Sequence, residues 1–272
     1  MRAGTVPAVS DEPATGSKAK EKLTRIRAQV YRDERPAAHF DRFHAWARAN
    51  EPDTMYEIVR VAVSLYSWTL FRARAIAAEH VPPSGPVIIA PNHASFLDHF
   101  FVGAFVRRKV RFMAKSQLYR RPLQFLFTHG GVFPVRRGYR DEEAFVTAAS
   151  ILDRGGCVAM YCEGGRSRTG ELGDRARPGI GRMALESGAT VVPVAIHGSS
   201  QVRNWKRLQF PRVTVEYGRP LRWERVEGPT RDQQQAVAEE IFSAIKGLYA
   251  GLEEHGRAGA RAKARVAGTT TA

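Results

Sequence analysis

Cysteine is nearly absent: Cys157 and Cys162 are the only two in 272 residues. They lie five positions apart on one expected strand, which puts them on opposite faces. They therefore make a poor disulfide pair, and nothing around them has the spacing of a zinc knuckle. A reducing, cytoplasmic setting is the simplest reading of that usage. Long apolar runs are missing too. The longest, VAVSLYSWTLF at 61–71, is closed off by Arg60 and Arg72, whereas a bilayer span takes roughly 20 apolar residues. The opening MRAGTVPAVSDEPATGS lacks the apolar core of a secretion signal. Acidic residues are outnumbered, with 27 Asp plus Glu against 42 Lys plus Arg and a net charge of +15. That excess favours an anionic partner: nucleic acid, an acidic lipid surface or a polyanionic substrate. The basic residues are spread out, not gathered with interleaved aromatics. No helix-turn-helix, RNA-recognition or zinc-finger pattern accompanies them, so no nucleic-acid partner is expected.

What is present is a chain whose pattern changes along its length. Residues 1–17, rich in Ala, Pro, Ser and Gly, read as disordered. From 18 to 80 the pattern is helical and amphipathic. Leu23, Ile26, Val30 and Tyr31 share a face, Phe40, Phe43 and Ala47 gather beside Trp46, and TMYEIVRVAVSLYSWTLF at 54–71 has a broad apolar surface. The same periodicity serves a core-packing helix and one lying in a membrane interface, and both readings stand. From 81 to 252 short strands alternate with helices. The strand candidates are 86–90, 110–114, 131–135, 157–162, 190–198 and 212–218. DEEAFVTAASILDR is one intervening helix, and the last begins at Thr230 with a TRDQ capping box. Strands separated by helices predict an α/β domain whose mostly parallel central sheet is flanked by helices on both faces. Residues 253–272, basic and small, read as a flexible tail.

Four stretches are too particular for scaffold alone: NHASFLD (92–98), GGVFPVRRG (130–138), YCEGGRSRTGE (161–171) and VVPVAIHG (191–198). Each lies in or at the end of an expected strand, so all can converge on one edge of the sheet. In this order they resemble the glycerolipid acyltransferase family, whose best-known members are 1-acyl-sn-glycerol-3-phosphate acyltransferases. The family's Asn-His, four residues, Asp block is matched at 92–98, and its strand ending in Phe-x-x-Arg by Phe133 to Arg136. Its Glu-Gly-Thr-Arg-Ser block is matched by Glu163 to Ser167, with Gly165 in place of Thr, and its Pro-centred strand by Pro193. The resemblance runs from about residue 55 to 220.

What the resemblance implies is acyl transfer from a thioester to an alcohol, which requires removal of the alcohol's proton as its oxygen attacks. A histidine suits that task because its ordinary pKa of about 6.5 lies near working pH. His93 is the expected general base and Asp98 the residue that orients it. The acceptor hydroxyl attacks directly, so no protein nucleophile is needed and Ser95 is expected to be a turn or capping residue. An acceptor phosphate needs cations. Arg136, Arg166 and Lys115 are the candidates, with Arg137 as a further one and Gly164 and Gly165 allowing close backbone approach. Glu163 is expected to bind the acceptor's glycerol hydroxyl or to position Arg166. Backbone N–H groups around Gly164 are candidates for stabilising the oxyanion, and Ser167 completes the set. His99, His129 and His197 are assigned no catalytic part, with His197 having the best claim to line the site. No bound cofactor or metal is expected; acyl-CoA or an acyl carrier protein thioester is the co-substrate and a lysophospholipid the acceptor, 1-acyl-sn-glycerol-3-phosphate giving phosphatidic acid first among them, with another lipid or polar head-group acceptor as the alternative. That acceptor lives in a bilayer. The basic, aromatic N-terminal helices are therefore expected to dock peripherally on an anionic membrane surface, the cytoplasmic face of the plasma membrane.

Overall fold

The computed structural model describes residues 33–139, 141–202 and 210–269. The leader 1–17 and the expected helix from 18 lie outside them, apart from residues 33–35. Seven strands form one sheet: β1 (Arg74–Ile76), β2 (Val87–Pro91), β3 (Val110–Lys115), β4 (Val132–Val135), β5 (Cys157–Ala159), β6 (Thr190–His197) and β7 (Thr214–Tyr217). Their order is β1-β7-β6-β2-β5-β3-β4. Strands β2 to β6 run parallel; β7 pairs antiparallel with β6, and β1 follows β7. All six expected strands are found. β1, only Arg-Ala-Ile, was not foreseen, being too short to leave a pattern.

Strand β2 reads Val-Ile-Ile-Ala-Pro with every residue buried, as a central strand covered on both faces must be. Ile88 and Ala90 point into a core with α5 (Glu142–Asp153), α6 (Pro178–Ser187) and the start of α7 (Arg231–Thr269). Val87 and Ile89 point the other way, under Phe101 and Val102 of α3 (Asp98–Gly103). Cys157 belongs to the second core and Cys162 to the first, and both are free thiols. The capping box at Thr230 forms as expected: its Oγ1 accepts the Gln233 N–H at 3.3 Å, and the Gln233 side chain accepts the Thr230 N–H at 2.8 Å.

The N-terminal helices wrap one end of the sheet. α1 (Asp41–Ala49) is fastened by Arg111 of β3, which is 2% exposed and donates to the carbonyls of Ala47 and Asn50 at 3.0 Å each and of Gly131 at 3.2 Å. α2 (Thr54–Thr69) starts at Asp53, whose carboxylate accepts the Met55 N–H at 2.8 Å. Its amphipathy is inverted. Ser64 and Ser67 face inward with Tyr56, while Ile58, Val61, Leu65, Tyr66 and Trp68 are exposed. It adjoins α4 (Leu123–His129), where Leu123, Phe125 and Leu126 are also exposed. Among the described residues no helix is long and apolar enough to cross a membrane.

The C-terminal segment corrects an expectation. Instead of a flexible tail, 253–269 is helical apart from a break at Gly256 (φ 61°, ψ −176°), a left-handed turn that favours glycine. Past the break Ala260 is buried beside Ile76, Ala195 and Leu252. Arg257 donates to the Thr214 hydroxyl at 2.9 Å and the Val213 carbonyl at 2.8 Å. Ala260, part of a stretch that looked like loose composition, is where the helix closes on the sheet.

Candidate active site

β2 carries Asn92 and His93 to the C-terminal edge of the sheet. Just past Pro91, Asn92 continues the ladder with its side chain. Its Oδ1 accepts the Ile196 N–H at 2.7 Å and its Nδ2 donates to the Ile196 carbonyl at 3.2 Å. The chain then folds around the Asp98 carboxylate. One oxygen, Oδ2, accepts the N–H groups of Ala94 and Ser95 at 2.7 Å each and lies 2.9 Å from His93 Nδ1. Ser95 takes the turn role expected of it, its hydroxyl accepting the Leu97 N–H at 3.2 Å. A carboxylate at Nδ1 fixes the proton there and leaves Nε2 as the acceptor.

The Glu-Gly-x-Arg-Ser block grips the same histidine from the other side. Glu163 accepts the His93 backbone N–H at 2.9 Å and, through its second oxygen, the Gly173 N–H at 3.2 Å. The Ser167 N–H donates to the His93 carbonyl at 2.7 Å. Burial pushes the Glu163 carboxyl above its usual range, an effect opposed by these two N–H groups. Tyr161 stacks on the imidazole with ring centroids 4.1 Å apart and planes at 25°. His93 is thus held at its amide, its carbonyl, its Nδ1 and one ring face.

A cavity of about 150 Å³ opens in front of it, lined by Lys115, Arg137 and Arg166 together with Tyr161, Phe96, His99 and Phe112. Burial lowers the Lys115 ammonium below its usual value, and the neighbouring Arg137 and Arg166 lower it further, so three cations converge here. Arg166 Nε is buried with no hydrogen-bond partner among the described residues. Arg136 does not line this cavity. It stacks over Tyr139 at 4.4 Å and donates to the Arg35 carbonyl at 3.0 Å. Arg137, the further candidate next to it, is the one of the two that lines the cavity.

Three other expected contacts lie off the cavity. Gly164 has φ 65°, and a side chain there would meet Arg177; its N–H is already bonded to the Tyr161 carbonyl at 3.1 Å. The Ser167 hydroxyl accepts the Gly170 N–H at 3.0 Å, closing a local turn. Glu163 spends its oxygens on the backbone N–H groups of His93 and Gly173. His197 packs against Tyr249 at 5.4 Å, away from the cavity, and His129 meets Asp53. The histidine that does line it is His99. Sequence reasoning missed Tyr161 and His99. The signal for Tyr161 was its place near the end of the expected strand 157–162, just before the Glu163 block.

A second, more apolar cavity of about 120 Å³ lies between α2, α3 and α4 and shares His99, Phe112, Phe127 and Val132 with the first. The two adjoin at these four residues, the first holding the cations beside His93 and the second lined mainly by apolar side chains of α2, α3 and α4.

Residues 72–197 match a family model described as Acyltransferase. The chain is 24% identical over 191 residues to the chloroplastic 1-acyl-sn-glycerol-3-phosphate acyltransferase LPAT1 of Arabidopsis thaliana, covering 68% of this chain and 53% of that protein. It is 27% identical over 148 residues to a 1-acyl-sn-glycerol-3-phosphate acyltransferase of Borreliella burgdorferi, covering 53% and 58%. It thus spans little more than half the length of these relatives. Its fold is similar to the crystal structure of the 1-acyl-sn-glycerophosphate acyltransferase PlsC from Thermotoga maritima, with a TM-score of 0.55 at 19% identity over 78% of this chain and 89% of that one. The His93–Asp98 pair stands inside the segment 72–197 that matches the acyltransferase family, and the chain shows distant homology to the 1-acyl-sn-glycerol-3-phosphate acyltransferases.

Proposed function

We propose that this protein transfers a fatty acyl group from acyl-CoA or an acyl carrier protein thioester to the free hydroxyl of a lysophospholipid. The favoured acceptor is 1-acyl-sn-glycerol-3-phosphate, giving phosphatidic acid. One observation carries the reading: the His93–Asp98 pair, at 2.9 Å, faces a groove with three cations near the imidazole and an apolar extension beyond it. The acceptor hydroxyl gives its proton to His93 Nε2 as its oxygen attacks the thioester carbonyl. Asp98 stabilises the imidazolium that forms. The intermediate then collapses, the C–S bond breaks, and the proton passes to the departing thiolate, leaving an ester and a free thiol. Arg137 and Arg166 suit the acceptor phosphate, Lys115 can serve the same phosphate or the developing oxyanion, and the apolar extension takes a fatty chain.

A bilayer-borne acceptor requires the enzyme to sit at the interface. The outward apolar faces of α2 and α4, flanking the groove, together with the net charge of +15, suit peripheral docking on an anionic membrane such as the inner leaflet of the plasma membrane. The test is an assay of purified protein with labelled acceptors, with and without a phosphate, against both donor types. Phosphate-bearing lysolipid is expected to be the best acceptor, and Arg166→Ala to raise its KM about 10-fold or more. Equal loss with a phosphate-free acceptor would remove the phosphate-binding role.

A further inference from the structure

Resting on that acyl-transfer reading, we propose that His99 is a specificity residue reading a polar substituent on the acyl chain. The donor class it selects is a thioester of a fatty acid hydroxylated near its carboxyl end. His99 follows Asp98 at the start of α3 and lines both the cavity in front of His93 and the apolar cavity beyond it. It therefore stands where the two cavities meet, the position taken by the first carbons of a chain that runs from the reacting carbonyl into the apolar cavity. Its ring rests on Phe100, centroids 4.2 Å apart, and on Phe112 at 5.9 Å. Burial, reinforced by His93, brings its pKa down to about 4, so it meets the chain as a neutral imidazole with one N–H donor and one acceptor.

Neither ring nitrogen makes a hydrogen bond among the described residues, in contrast to other polar groups of the apolar cavity. Tyr56 Oη accepts the Val110 N–H at 2.8 Å, and Arg60 is held by Glu57 at 2.6 Å. Water can satisfy His99 while the groove is empty. An unsubstituted chain laid past it expels that water and puts methylenes against an unpaired N–H, which is unfavourable. A hydroxyl on the second or third carbon restores the hydrogen bond. A site that hydrogen-bonds a substrate hydroxyl discriminates against the analogue lacking it, whereas a purely apolar pocket tolerates either. Ordinary fatty acyl transfer needs only the apolar lining, so an imidazole here has no task unless the chain is polar at that point.

The experiment compares kcat/KM for hexadecanoyl, 2-hydroxyhexadecanoyl and 3-hydroxyhexadecanoyl thioesters with one acceptor. The native enzyme is expected to prefer at least one hydroxylated donor by roughly 10-fold or more, and His99→Phe to bring that ratio close to one. Should His99→Phe fail to fold, a second measurement decides: the same chains as free acids, added to His93→Ala protein, should raise Tm more when hydroxylated. Transfer from all donors without a preference, or an unchanged ratio in His99→Phe, overturns the subsite and leaves the acyltransferase reading intact. No transfer from any donor, with a Tm response still favouring the hydroxylated acid, overturns that reading and retains the subsite.

Discussion

Asp98 shows how much one oxygen can be asked to do. Its Oδ2 accepts two backbone N–H groups and meets His93 Nδ1, while Oδ1 has no hydrogen-bond partner among the described residues. Asp98→Asn can keep its amide oxygen in the Oδ2 position and place its NH2 where nothing now bonds. The turn should survive and the charge that stabilises the imidazolium should go. The expected outcome is a kcat lowered about 100-fold or more with Tm little changed. Asp98→Ala, which also removes the acceptor for the Ala94 and Ser95 amides, should lower both. Equal losses of Tm in the two variants would show that the carboxylate is mainly a structural brace. Tyr161 admits a similar separation. Its hydroxyl is buried and unpartnered among the described residues, whereas its ring stacks on His93. Tyr161→Phe should therefore stay within a few-fold of native activity, and Tyr161→Ala should lose about 10-fold or more in kcat as the imidazole loosens. A large loss in Tyr161→Phe would assign the hydroxyl a direct part in the reaction.

At the scale of elements, the sheet and the helices behind it were legible because buried parallel strands leave dense apolar runs. VIIA and VVPVAI could be read as central strands with little else to consult. What escaped was set by three-dimensional neighbours. β1 has three residues and exists because β7 offers it an edge. The Ala and Gly residues of 256–269 read as loose until Ala260 is seen closing on Ile76 and Leu252. Within the site, His93, Asp98 and Arg166 were reachable from motif order, and Lys115 from its place at the end of a strand. Arg137 was a candidate beside Arg136, but which of the two lines the cavity was not legible, because the side on which the residues after a strand leave the sheet is decided by the turn that follows. Arg111 is the sharpest case: nothing in VRFMA says that its arginine is buried. It holds α1 and the start of β4 to β3 through three carbonyls. Arg111→Leu leaves acceptors unsatisfied and should cost about 2–4 kcal/mol, read as a lower denaturant midpoint. An unchanged midpoint would show that water replaces the guanidinium.

Over the whole molecule, charge and apolar surface make two separate predictions. Burial lowers the pKa of His44, of His99 (to about 4) and of His197. Unfolded histidines take up protons near pH 6.5 while these buried ones still resist. The unfolded state then binds more protons, and stability falls as pH drops from about 6.5 toward 4. Urea midpoints measured across that range should decline, and His99→Phe should flatten the decline; an identical slope in the variant would mean that His99 contributes nothing to it. The outward face of α2 is the other case. Serines inside and Ile58, Val61, Leu65 and Trp68 outside reverse the order that burial in the protein's own core would select. A bilayer would cover this face, and so would a second copy of the chain. Val61→Ser, Leu65→Ser and Trp68→Ser together should spare the fold, since these side chains are exposed. If lipid is the cover, the native protein stays monomeric in solution and binds anionic vesicles. High salt then weakens that binding only in part, because the apolar face still holds, whereas the triple variant depends on charge alone and is released by the same salt. A native dimer that the three serines turn into a monomer, with vesicle binding untouched, would give the face to a partner subunit instead.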